Sequence, residues 1–164
     1  MRLKKLICNR TLLLFVVSLF FTGCSGEQRA GDLYKDGDIK GIVVSVNSEG
    51  HPTMILSLDE AVALNADSAV VWASNLQTVN GTKWTLPTKE EMILLRKYRS
   101  LINNTLRDKK LPLFLENGTF YWTSTPCSES HCNACGPDGV RCYFKMNDTY
   151  SYRARGVMRI ENKQ

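Results

Sequence analysis

Residues 127–142 read CSESHCNACGPDGVRC, so four of the six cysteines of this 164-residue chain lie in one short stretch. No other feature limits the fold as strongly. In an oxidising compartment such a cluster closes on itself as disulfides and staples a segment that has little apolar content of its own. In a reducing compartment it holds a metal or does redox chemistry. The spacing does not separate these cases, but the other end of the chain does. It opens MRLKKLICNRTLLLFVVSLFFTGCSG, with Arg2, Lys4, Lys5 and Arg10 ahead of an apolar run from Leu12 to Phe21 that only Ser18 interrupts. A basic start, a short apolar stretch and small residues before a cleavage point make a secretory signal peptide. The run falls short of the ~20 apolar residues that a membrane-spanning helix needs.

Phe21-Thr22-Gly23-Cys24 resembles the bacterial lipobox, in which the cysteine is diacylated and becomes the first residue of the mature protein. The resemblance implies that residues 1–23 are a lipoprotein signal peptide. It also implies a lipid membrane as partner through acylated Cys24, and a place in the bacterial cell envelope, at the outer membrane on its periplasmic or surface face. An uncleaved anchor and an ordinary signal peptide are the alternatives. Two acyl chains anchor firmly where one holds only marginally. Cleavage also changes the charge. Four of the 21 basic residues and none of the 16 acidic ones precede Cys24, which leaves 17 against 16. The mature chain is therefore near neutral, and no nucleic-acid partner is expected from overall charge. Residues 24–38 are polar and read as a flexible tether; residues 39–164 suffice for one domain with a real core.

With export granted, Cys127, Cys132, Cys135 and Cys142 are expected to form disulfides. Three pairings exist. Cys127 with Cys142, enclosing Cys132 with Cys135, is the preferred one, because the outer closure is worth roughly 3 kcal/mol of loop entropy. A zinc site with His131 as a spare ligand competes, but its intervals fit poorly. Redox catalysis competes less well, since Gly136-Pro137-Asp138-Gly139 after Cys135 is turn chemistry and not the start of a helix. No metal and no cofactor is expected.

The rest of the chain alternates β and α signals. Gly41–Asn47 and Thr53–Leu58 flank a turn cluster and predict a hairpin. Residues 67–76 suit a short amphipathic helix, and Asn80-Gly81 turns the chain. Thr88 and Glu91 form a capping box, with Pro87 holding Leu86 extended, so a helix starts at Thr88 or Lys89 and runs to about Ser100. Its buried stripe is Met92, Leu95 and Arg99 with Leu94 and Tyr98, and another turn or two follows to Arg107. Phe120–Ser124 is an aromatic strand ended by Pro126. Two more strands, over 140–146 and 150–160, complete an α+β chain with an antiparallel sheet and two helices.

Several words of the sequence resemble one bacterial family. They are Gly41-IVVSV, Trp84-Thr-Leu-Pro-Thr88 before a helix, Tyr121-Trp122-Thr-Ser-Thr125 and a last strand ending Val157-Met-Arg-Ile160. The chain over roughly residues 38–161 is similar to the domain family named for the C-terminal domain of the Legionella collagen-like protein, close to the Fibrobacter major paralogous domain family. The resemblance implies a C-type lectin-like fold, a non-catalytic domain and a binding role at the cell surface, with some members adhesins for sulfated glycans. The cysteine-rich insertion departs from the family. The calcium–sugar motifs of true C-type lectins are absent from the sequence, so calcium-dependent sugar binding is not expected.

The terminal hairpin predicts where binding would occur. A three-residue loop at Asn147-Asp148-Thr149 pairs Met146 with Tyr150, Phe144 with Tyr152 and Cys142 with Ala154 on one apolar face. The opposite face then carries Arg141, Tyr143, Lys145, Arg153 and Arg155, a candidate site for an anionic glycan. An ordinary solvated face is the competing reading. Trp72, Trp84 and Trp122 read as core. Adjacent Asp59 and Glu60 point apart on an extended strand and do not suit paired acid/base work. The expectation is thus an exported, lipid-anchored domain that binds a glycan or surface protein and is not an enzyme. An assembly subunit and a sulfatase-modifying-type enzyme are the alternatives.

Overall fold

The computed structural model describes residues 27–76, 83–128, 131–144 and 151–161. In chain order the elements are β1 (Leu33–Asp36), β2 (Ile39–Val46), β3 (Pro52–Ser57), β4 (Ala61–Leu64), α1 (Ala66–Ser74), α2 (Lys89–Lys97), α3 (Arg99–Asp108), β5 (Tyr121–Ser128), β6 (His131–Gly136), β7 (Gly139–Phe144), β8 (Tyr152–Ala154) and β9 (Val157–Arg159). The chain is α+β, with a four-stranded sheet ordered β1-β2-β3-β9 and a five-stranded sheet ordered β4-β8-β5-β6-β7.

The β2–β3 hairpin forms as its β-branched run demands, with Ile42 opposite Leu56 and Val43 opposite Ile55. The Asn47 carboxamide oxygen accepts from the N–H groups of Glu49 (3.0 Å) and His51 (2.9 Å) and sets the turn. Alternation then gives this sheet two buried faces. Ile42, Val44, Met54, Leu56 and Val157 pack against Met92 and Leu95 of α2 and Ile102 and Leu106 of α3. Ile39, Ile55 and Met158 pack on the other face with Trp84. The tether ends earlier than expected: Leu33–Asp36 pairs with β2 along its free edge, from Leu33 opposite Ile42 to Asp36 opposite Ile39.

Successive residues of β5 and β6 serve different cores. Tyr121 and Cys135 face the helices α2 and α3, whereas Trp122 and Ala134 face Ala66, Ala69 and Ala73 of α1. The capping box at α2 is present in both directions. Thr88 Oγ1 accepts from Glu91 N–H (3.2 Å), and Glu91 Oε2 accepts from Thr88 N–H (2.8 Å). Glu91 also receives Arg159 of β9 through two 2.7 Å bonds, so one carboxylate fastens the helix start to the sheet.

The helical stretch after Thr88 breaks at Tyr98 into α2 and α3, so the described residues hold three helices where two were expected. The stretch 150–160 is not one strand. It divides at Arg155-Gly156 into β8 and β9, which belong to different sheets. Gly156 packs closely at this crossing: a Cβ there would stand 2.8 Å from Leu76 Cδ1 and 3.2 Å from Trp84 Cε3, so those side chains would have to shift to admit one. Pro126 does not end its strand; β5 continues through it with register shifts on both sides, where a bulge tolerates proline. Residues 1–23, expected to be a signal peptide, Cys24, the turn expected at Asn80-Gly81 and the loop expected over 147–149 lie outside the described residues.

Candidate functional site

Most of the cysteine-rich segment is β-strand and not loop. β6 runs through it between β5 and β7, with Cys135 opposite both Tyr121 and Val140. This overturns the Cys132–Cys135 pairing. The two residues are three apart on one strand, hence on opposite faces and ~10 Å apart, beyond disulfide reach. Cys135 is a free thiol, fully buried in the core, and burial pushes its pKa up. Cys127 is disulfide-bonded. The ladder does not favour Cys142 as its partner, since β6 stands between their strands and two strand spacings are about 9.6 Å. Along the ladder Pro126 stands opposite Cys132 and Ser128 opposite His131.

The expected basic face does not assemble. β7 pairs with β6, and β8 lies between β4 and β5, so the β7–β8 hairpin does not form. Arg141 and Tyr143 sit on β7, and Lys145 lies outside the described residues. Arg153 and Arg155 turn inward onto a carboxylate that the sequence reading set aside, Glu60. Its side chain is only 3% exposed. Glu60 Oε1 accepts from Arg153 Nη1 (2.9 Å) and from the Tyr121 hydroxyl (2.7 Å), and Oε2 accepts from Arg155 Nη2 (3.2 Å). Arg155 also donates to the carbonyls of Ser57 (3.0 Å), Leu58 (2.9 Å) and Pro112 (2.6 Å). Burying an unpaired arginine is costly, and that rule still holds here: the cation went inside because a buried carboxylate met it. Opposite charges far apart in sequence, at 60 and 155, leave no local signal.

This cluster ties Glu60, just before β4, to β5 and β8, with Glu60 and Arg155 buried and the Arg153 side chain 33% exposed. Burial first, and then hydrogen bonding and charge from Glu60, raise the Tyr121 pKa well above its ordinary value. A phenol that holds its proton more tightly when folded stabilises the fold fully below the unfolded pKa of about 10 and ever less above it. Stability is therefore expected to fall as pH rises beyond about 10. Tyr121→Phe should flatten that fall while costing roughly 1.5–3 kcal/mol near neutrality, the worth of a hydrogen bond to a charged acceptor. Urea titrations of both proteins between pH 7 and 11 measure this; equal slopes above pH 10 would count against the assignment.

Surface hollows among the described residues offer other candidates. One is a cleft of about 260 Å³ beside the start of β2 and the end of β3. Ile39, Leu76 and Trp84 give it an apolar floor, and Asp38, Lys40 and Asp59 stand around it. The three charged residues are exposed, while Ser57 beneath them is buried and already bonded to Asp59 O and Gly156 N. Another hollow lies between the α2–α3 elbow and the β6–β7 turn, lined by Arg96, Arg99, Ser100 and Pro137. Neither set was singled out from the sequence, because each joins separate segments, from Asp38 to Trp84 in the first and from Arg96 to Pro137 in the second. Among the described residues no group of three or more His, Cys, Asp or Glu side chains is placed to hold a metal ion, and no helix is long and apolar enough to cross a membrane. No known family and no curated protein matches the chain.

Proposed function

We propose that this protein is an exported, lipid-anchored binding protein whose folded part is a C-type lectin-like, non-catalytic domain taking a glycan as ligand. The anchoring half rests on the Phe21–Cys24 pattern, and the disulfide at Cys127 is the chemistry of an oxidising compartment. The cleft over Trp84 carries the binding half. Sugars present an apolar C–H face and a rim of hydroxyls. An apolar floor beside two carboxylate acceptors and one ammonium donor answers both. At about 260 Å³ the cleft has room for about one sugar ring. Because Arg153 and Arg155 are spent on Glu60, the ligand class shifts from strongly anionic glycans toward hydroxyl-rich ones.

The test is calorimetric titration of the mature protein with a panel of neutral, amino and acidic saccharides. Binding by a neutral or amino sugar, reduced at least about tenfold in Asp38→Asn/Asp59→Asn, is expected, since hydrogen bonds to charged groups are worth ~1.5–3 kcal/mol. Saccharide binding that the double variant leaves untouched would move the site elsewhere. A second reading, a subunit of a cell-surface assembly, draws on Val70 and Val71, adjacent on α1 and 52% and 58% exposed. Salt-insensitive capture of an envelope protein, lost in Val70→Glu/Val71→Glu, would favour it.

A further inference from the structure

We propose that the groove at the α2–α3 elbow is a binding site for a phosphate group. The groove encloses about 240 Å³ between Arg96, Arg99, Ser100 and Pro137. Both guanidiniums are half-buried and pinned by backbone carbonyls: Arg96 Nη2 donates to Pro137 O (2.8 Å), and Arg99 Nη1 donates to Leu115 O (3.1 Å). Those bonds fix position without neutralising charge. Neither arginine has a carboxylate partner among the described residues, whereas Arg153, Arg155 and Arg159 each do. Each guanidinium has five N–H donors, so most of the fork is left for a ligand. Two fixed cations without a counter-charge match a doubly charged oxyanion, and guanidinium geometry suits phosphate oxygens.

The charge pattern of the helices agrees. Acidic residues sit in the first turn of α1 (Asp67) and α2 (Glu90, Glu91), where the helix dipole favours them. The first turn of α3 has none and no side-chain cap, and it starts with Arg99 itself. The positive end of a helix carrying a cation is destabilising by itself and is relieved by a bound anion.

Phosphate could arrive free or as part of a lipid headgroup, and the probes separate these. The full chain is titrated at low ionic strength with inorganic phosphate and with glycerophosphoglycerol, a headgroup freed of its acyl chains. Saturable binding of inorganic phosphate, weakened about tenfold or more in Arg96→Gln/Arg99→Gln and unchanged in Arg107→Gln, is expected, charged hydrogen bonds having that worth. Preference for glycerophosphoglycerol with the same loss assigns the phosphate to a lipid. Should the double variant misfold, Ser100→Glu decides. It leaves both arginine–carbonyl bonds in place and puts an acid in the first turn of α3, so it should raise the melting temperature while abolishing phosphate binding. Failure of both probes to bind, or binding that survives Ser100→Glu, overturns the proposal. Neither outcome bears on the Trp84 cleft.

Discussion

Replacing Glu60 by alanine is expected to destabilise the protein by about 3–5 kcal/mol, the cost of leaving a buried charge without its partner. For a domain of this size that is a fall of ~10 °C or more in melting temperature. The reason lies in Arg155, whose side chain is 1% exposed and whose charge Glu60 balances. The three carbonyls around Arg155 accept its protons but carry no opposite charge. Its Nε is already buried without a hydrogen-bond partner among the described residues, so the site has little slack. Glu60→Gln keeps an acceptor oxygen for Tyr121 and should cost less than alanine, but more than a surface change. The double variant Glu60→Ala/Arg155→Met should be markedly more stable than the sum of its parts, because removing both charges removes the desolvation problem. A loss below about 1 kcal/mol for Glu60→Ala would mean that the cluster is not buried as described.

The second large effect is expected at Trp122. Its side chain is fully buried, its Nε1–H donates to Leu64 O (2.8 Å), and its ring meets Tyr152 edge-on at 5.0 Å. Ala66, Ala69 and Ala73 present a flat helix face to it, so the ring supplies most of the bulk on that side. Trp122→Ala should cost about 3–5 kcal/mol, through lost burial and a cavity that small neighbours cannot fill. Trp122→Phe keeps an apolar ring but strands the Leu64 carbonyl, for about 1–3 kcal/mol. Urea denaturation separates the variants, with the midpoint moving and the slope holding if the transition stays two-state.

Signals that act within one turn or one hairpin were legible. Thr88 and Glu91 mark the start of α2 as written, Ile42–Val46 and Met54–Leu56 form their hairpin, and Tyr121-Trp122 begin a strand. What failed depends on partners far along the chain. HCNACG has poor β propensity and becomes β6 because β5 and β7 flank it on both sides, which context allows. Arg153 and Arg155 read as an outward cationic face because the only visible alternative was an unpaired burial. Glu60, 93 and 95 positions away, supplied the third option. The candidate sites suffer the same limit, since each brings together side chains from several segments. The lectin-like resemblance rests on words such as Trp84-Thr-Leu-Pro-Thr88, and Trp84 does floor the cleft on which the binding proposal stands.

We propose that the chain leaves the cytosol, is acylated at Cys24 and is oxidised at Cys127. Intact mass spectrometry of the protein isolated from its native membranes, before and after reduction, tests this most directly. The expected species starts at Cys24, carries acyl groups, and gains the mass of the hydrogens taken up by a disulfide when reduced. A chain that retains residues 1–23, bears no lipid and keeps the same mass on reduction would contradict it.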